Sequence, residues 1–171
     1  MGNTQGRHPN RMTAFFLDKR REVPALVTLQ EASEFVAIAA CGLFAGASLY
    51  INLVEHPARM ECGAEIAVTV FGPSYRRAAR IQVFFAALGF IAALAAWLTG
   101  DSVAWLIGGL VLGGVIPFTL IFIMPTNRQL LSPAVEKTSP RTRALLEQWG
   151  RLHAVRSGLS LAALFIFIAS A

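Results

Sequence analysis

Four stretches of about twenty apolar residues each constrain this chain more than any other feature, because no soluble fold of its size can absorb them all. They cover about residues 34–54, 78–98, 103–124 and 152–171. Lipid offers a backbone no hydrogen-bond partner, so segments that cross it must be helices unless they close a barrel. The expected fold is therefore all-α: an integral membrane four-helix bundle. Composition agrees, with 55% hydrophobic and 15% charged residues against about 25% charged in an ordinary globular domain.

The fourth segment decides where the polar residues fall. Only Ser157 to Ala171 is cleanly apolar, and counting back about twenty residues from Ala171 reaches Leu152. A full crossing then carries His153 and Arg156 inside the membrane zone. Residues 1–30 read as a polar arm ahead of a transmembrane domain over 31–171, and Met12–Phe16 with Val23–Leu29 suits a short surface helix. MGNTQG lacks the Ser or Thr that a myristoylation start needs at its sixth position. Glu31 and Glu34 directly before FVAIAACGLF argue against a cleaved signal peptide.

The net charge of +5 comes from residues that flank apolar runs, with no Lys/Arg stripe interleaved with aromatics; this points to a lipid bilayer as partner and to no nucleic acid. Ten of the fifteen Lys and Arg fall on one side of the expected topology, in loops 55–77 and 125–151 and the adjoining helix starts. That excess places both long loops in the cytoplasm and both termini outside it, as in a bacterial inner (cytoplasmic) membrane. Cys41 and Cys62 have no CxxC spacing and read as packing residues. Gly42/Gly46 and Gly109/Gly113 have the GxxxG spacing of close helix contacts, and Pro117 should kink the third helix.

Charges retained inside spans are the candidates for function. The first helix ends in Tyr50, Asn52, Glu55, His56 and Pro57, with Asn52, Glu55 and His56 on one face at i, i+3, i+4. The second opens with Tyr75, Arg76, Arg77 and, deeper, Gln82. The third closes with Pro125, Thr126, Asn127 and Arg128. The fourth carries Trp149, His153 and Arg156 along one stripe. In an up-down bundle these four ends are coplanar, so the expected pocket lies near one membrane face. Its catalytic candidates are His56, His153, Glu55 and Arg156; its substrate-binding candidates are Asn52, Gln82, Asn127, Trp149 and Tyr50. Glu55 is the expected carboxylate partner of Arg156. Arg76, Arg77, Arg128 and Arg151 read as membrane-flanking charge.

His56, His153 and Glu55 also make an alternative metal-ligand set, although the ExxH repeats of di-iron bundles are missing. No metal or organic cofactor is favoured: nucleotide loops and CxxCH are absent. A histidine beside a carboxylate suits proton abstraction near neutral pH.

The strings AGASLYINLVEHPAR, SYRRAARIQ, PTNRQL and LLEQWGRLHAVRS, in that order over about residues 34–170, resemble the DUF1772 family and its anthrone oxygenase-like membrane proteins. The resemblance implies a four-helix membrane fold and a monooxygenase-type oxidation of anthrones by molecular oxygen without an obvious organic cofactor. It maps onto Asn52, Glu55, His56, Gln82, Asn127, Trp149, His153 and Arg156. The expected function is a membrane oxidoreductase acting on a lipophilic phenolic or polycyclic small molecule, with a histidine as base and Arg156 with Asn127 stabilising the oxyanion. The alternatives are a metal- or cofactor-binding membrane protein and an accessory or structural subunit with a homo-oligomeric or membrane-complex partner.

Overall fold

The computed structural model describes residues 11–100 and 102–171, with side chains from Thr28 onward. All of its regular elements are helical: α1 (Arg11–Tyr50), a π-helical turn (Ile51–Glu55), α2 (His56–Glu61), α3 (Ala64–Thr99), α4 (Val103–Phe118), a second π-helical turn (Thr119–Ile123), α5 (Met124–Leu130) and α6 (Pro140–Ser170). Four continuous helical rods result, Thr28–Glu61, Ala64–Thr99, Val103–Leu130 and Pro140–Ser170, each long and apolar enough to cross a bilayer. The chain is an integral membrane four-helix bundle. Of the expected arm, residues 1–10 lie outside the described residues, as do the side chains of 11–27; the backbone from Arg11 is helical and runs straight into the first span.

The rods close a ring in which α1 packs on α3, α3 on α4, α4 on α6 and α6 on α1. Small residues let them approach. Ala86, Ala92, Ala93 and Ala96 of α3 are buried against Ala37, Cys41 and Phe44 of α1 and against Trp105, Leu112 and Val115 of α4. Trp105 stacks on Phe167 of α6 at 5.3 Å, and Gly108 is required beneath that ring, since a Cβ there would lie 2.5 Å from it. The two GxxxG pairs fare differently. Gly109 and Gly113 press against Ala93 and Phe90, whereas Gly46 is exposed and a Cβ on it would meet no neighbouring helix within 4 Å.

The rods extend further at the polar end than the hydropathy pattern suggests. The expected loop 55–77 shrinks to Cys62–Gly63, where Gly63 takes φ 90° to reverse the chain. The helix that carries the second span therefore begins at Ala64, ahead of Ala78, with Pro73 inside it. The helix that carries the fourth begins at Pro140, ahead of Leu152, capped by the Ser139 side chain, which accepts from the Thr142 amide at 3.2 Å. At about 1.5 Å per residue, 36 residues reach about 54 Å, well beyond the ~30 Å hydrocarbon core. Exposed Ile81, Val83, Phe84 and Ile91 give way to exposed Arg80, Arg77 and Arg76 along α3, the pattern expected where that core ends.

Both rods that approach this end interrupt their α-helix in the same way. The amide of His56 bonds the carbonyl of Ile51, and that of Met124 bonds the carbonyl of Thr119, five residues back instead of four. A proline follows each time, Pro57 and Pro125. Proline has no amide and its ring crowds the carbonyl four residues back, so a widened turn ahead of it relieves the clash. Pro117, where a kink is expected, lies inside regular α4, which ends at Phe118 and passes into the π turn.

Candidate functional site

The widened turns rotate the helix ends, so that Arg59, two residues after Pro57, and Asn127, two after Pro125, both face inward. Arg59 is 7% exposed and Asn127 fully buried. They form one end of a cleft of about 790 Å³, its open mouth included. Phe44, Ile51, Phe71, Ala86, Val115 and Ile123 make its walls apolar; Gln82, Trp149, His153 and Arg156 line it as well. Val83 and Leu120, 55% and 58% exposed, are the only exposed residues on that lining. The mouth thus lies between α3 and the second π turn, on the lipid-facing surface.

A hydrogen-bonded chain runs along the inner wall. Asn52 Nδ2 donates to the carbonyl of Gly150 at 3.2 Å, which fixes its Oδ1 as an acceptor. That oxygen receives Ser157 Oγ at 2.6 Å and faces His153 Nδ1 at 2.5 Å. Nδ1 must then carry the proton, leaving Nε2 as the lone-pair nitrogen of a neutral imidazole. Nε2 lies 2.5 Å from Arg156 Nη2, which also donates to Gln82 Oε1 at 2.6 Å. Gln82 Nε2 in turn donates to Ser48 Oγ at 3.4 Å. Arg156 donates to Gln82, two residues beyond Arg80 on α3, so it stands just inside the belt of exposed arginines.

Charge is distributed unevenly over the site. Arg59 Nη2 pairs with Glu55 Oε1 at 3.3 Å, and Ser74 donates to the same oxygen. Arg156 has no carboxylate within ion-pair distance among the described residues; its other neighbour is the Phe44 ring, 5.4 Å away. The cleft therefore has a neutral ion-paired end at Arg59 and a net positive end at Arg156. Several buried groups on its walls also have no hydrogen-bond partner among the described residues: Asn127 Nδ2 and Oδ1, Arg59 Nε and Nη1, Trp149 Nε1 and Arg156 Nε. Buried polar atoms are seldom left so, and here they gather on the residues of one apolar cleft.

Four expectations are corrected. Glu55 belongs to Arg59, not to Arg156; the π turn displaces it from the face that Asn52 occupies. Tyr50 is 57% exposed and contributes nothing to the cleft lining. His56 is buried behind the wall, its ring 5.2 Å from that of Trp149, which separates it from the cavity and stacks on His153 at 4.7 Å. Consequently His56, His153 and Glu55 do not converge, and no three His, Cys, Asp or Glu side chains among the described residues form a metal-binding group. Arg59, Gly150, Ser157 and Ser48 escaped the sequence reading. For Arg59 the signal was present: it follows Glu55 by four residues, the spacing of a helical ion pair.

Residues 71–166 match the family model described as anthrone oxygenase, more than half of the chain. The chain belongs to the anthrone oxygenase family. The family match takes in Gln82, Asn127, Trp149, His153 and Arg156, and leaves α1 and α2 with Asn52 and Arg59 outside it. Comparison with curated proteins and with solved structures returns no match.

Proposed function

We propose that this anthrone oxygenase family member oxidises a lipophilic, anthrone-like polycyclic ketone with molecular oxygen, using Arg156 and His153 as its reacting pair. The observation that carries the reading is the buried guanidinium without a counter-ion, held against an imidazole lone pair at the inner wall of a lipid-facing apolar cleft. Such a cation offers the missing partner to a substrate oxyanion. An apolar cleft also suits both a polycyclic substrate and dissolved dioxygen.

Arg156 Nη2 occupies the lone pair that His153 would need as a base. One displacement serves both groups: when the guanidinium turns to the substrate's carbonyl oxygen, Nε2 is freed to accept the proton from the activated CH₂ carbon. The C–H electrons pass into the ring system and the charge collects on the oxygen beside Arg156. Dioxygen takes up those electrons and bonds to the same carbon, and the proton held on His153 completes a hydroperoxide. Loss of the second C–H proton then breaks the O–O bond, releasing water and leaving a ketone. One dioxygen supplies one oxygen to the quinone and one to water, so no external reductant is needed. Asn52 and Ser157 keep Nδ1 protonated and the ring in place throughout.

Purified protein in liposomes should convert anthrone to anthraquinone above the protein-free rate while consuming one dioxygen per quinone. His153→Ala and Arg156→Gln should each lower that excess rate about a hundredfold or more. A wild-type rate equal to the protein-free control would contradict the proposal, and inhibition by chelators reversed by added metal would favour the metal-dependent alternative.

A further inference from the structure

The end of the cleft formed by α2 and α5 has a chemistry distinct from the Arg156 end, and it has no part in the reaction above. Asn127 is fully buried and has both side-chain atoms unpaired, one a donor and the other an acceptor. Arg59 leaves Nε and Nη1 unpaired, although Nη2 is held by Glu55. Arg59 is not free to swing toward water for a partner. Its guanidinium is clamped over the rings of Phe71 and Trp149, at 5.9 and 5.6 Å. Two donors and a donor–acceptor pair therefore stand without partners among the described residues, on two side chains that line one apolar cleft.

We propose that this end is a second recognition subsite, which binds a neutral hydroxyl on the ring of the substrate remote from the reacting carbon. The inference rests on the polycyclic-substrate reading above. Charge decides between an uncharged and an anionic substituent. Glu55 already neutralises Arg59, so a carboxylate placed here would stand as an uncompensated anion next to another carboxylate. A hydroxyl suits all the free groups: it donates to Asn127 Oδ1 and accepts from Arg59 or from Asn127 Nδ2. The anion that forms during the reaction is instead drawn to the opposite end, where Arg156 has no counter-ion. The two ends together set the direction in which a polycyclic molecule enters from the bilayer. They also predict that a substrate lacking the remote oxygen binds but is poorly discriminated, because leaving these buried groups unpaired forfeits the hydrogen bonds that hydroxyl would make.

The test is equilibrium binding to the full-length protein in nanodiscs without turnover, followed by tryptophan fluorescence with empty nanodiscs as blank. The probes are anthraquinone, its monohydroxy derivative and its monocarboxylate, below the pH at which the hydroxyl ionises. The wild type should bind the hydroxy compound about tenfold more tightly than the parent, with the carboxylate no tighter than the parent. Asn127→Leu should bind parent and hydroxy compound alike, and its retained affinity for the parent shows that it is folded. Equal wild-type affinity for parent and hydroxy compound would overturn the subsite while leaving the oxygenation reading intact, and tightest binding of the carboxylate would overturn the neutral-oxygen assignment. Failure of all three probes to bind, with no turnover of anthrone, would overturn the reading on which the subsite rests.

Discussion

A guanidinium at the depth of Arg156 has lost its water, and Gln82, His153 and the face of Phe44 return only part of what it loses. An arrangement of this kind persists when the unsatisfied remainder serves a ligand, and the unpaired Nε is that remainder. The residues around it are held by contacts that single substitutions can probe. Gly150 is the clearest. Its carbonyl anchors Asn52, and a Cβ on it would stand 2.6 Å from Nε2 and 2.8 Å from Cδ2 of the buried His56 ring. Gly150→Ala should therefore destabilise the protein by about 1–3 kcal/mol, the usual range for an overpacked core. His56→Ala in the same chain should recover much of the loss by vacating that space. Thermal unfolding in detergent of the two single variants and the double variant checks this; strictly additive losses would show that the two residues do not touch.

At the scale of elements, the paired π turns bring Arg59 and Asn127 into the cleft, and the prolines after them keep the turns open. Replacing Pro125 by Ala restores an amide able to bond the carbonyl of Ile121 and removes the ring that crowds it. The turn should then relax toward regular α-helix and rotate Asn127 away from the cleft. The preference for the hydroxy compound over the parent should fall about tenfold while the melting temperature holds or rises, a split that a purely structural role for Pro125 does not produce. These turns also explain what was legible in the sequence. The four spans and the coplanar gathering of Gln82, Asn127, Trp149, His153 and Arg156 follow from apolar lengths and up-down topology. The rotation of Glu55 out of register with Asn52 does not, because i, i+3, i+4 spacing presumes a regular α-helix. Helix ends were hidden for another reason: hydropathy senses where a rod leaves the hydrocarbon core, whereas the first turns of α3 and α6 continue beyond it. Arg59 thus resembled a loop charge. The two GxxxG pairs look alike in sequence and diverge only in the fold, where Phe90 covers Gly113 and nothing covers Gly46.

For the whole molecule, four spans put the start of the first rod and the end of the fourth on one side of the membrane, and the ten of fifteen Lys and Arg at the polar end predict that this end faces the cytoplasm. Reporter fusions at Pro133 and after Ala171 should read cytoplasmic and extracytoplasmic respectively; the reverse pair would invert the orientation and with it the side on which the cleft's polar end lies. The mouth at Val83 and Leu120 opens just inside the arginine belt of Arg76, Arg77 and Arg80, so the proposed substrate would enter from lipid without crossing water. The proposed oxidation turns on one event, the formation of a substrate anion when Arg156 leaves His153 for the substrate's oxygen. Mixing anthrone with the protein in nanodiscs under strict anaerobiosis isolates that event, because the anion absorbs at longer wavelength than the ketone and has no oxidant to consume it. The wild type should develop the anion band at a pH where empty nanodiscs show none, and lose it as anthraquinone appears when air is admitted; Arg156→Gln and His153→Ala should develop little of it. An anion band of equal size in all three proteins, or quinone formation by the wild type with no anion before air, would contradict the account.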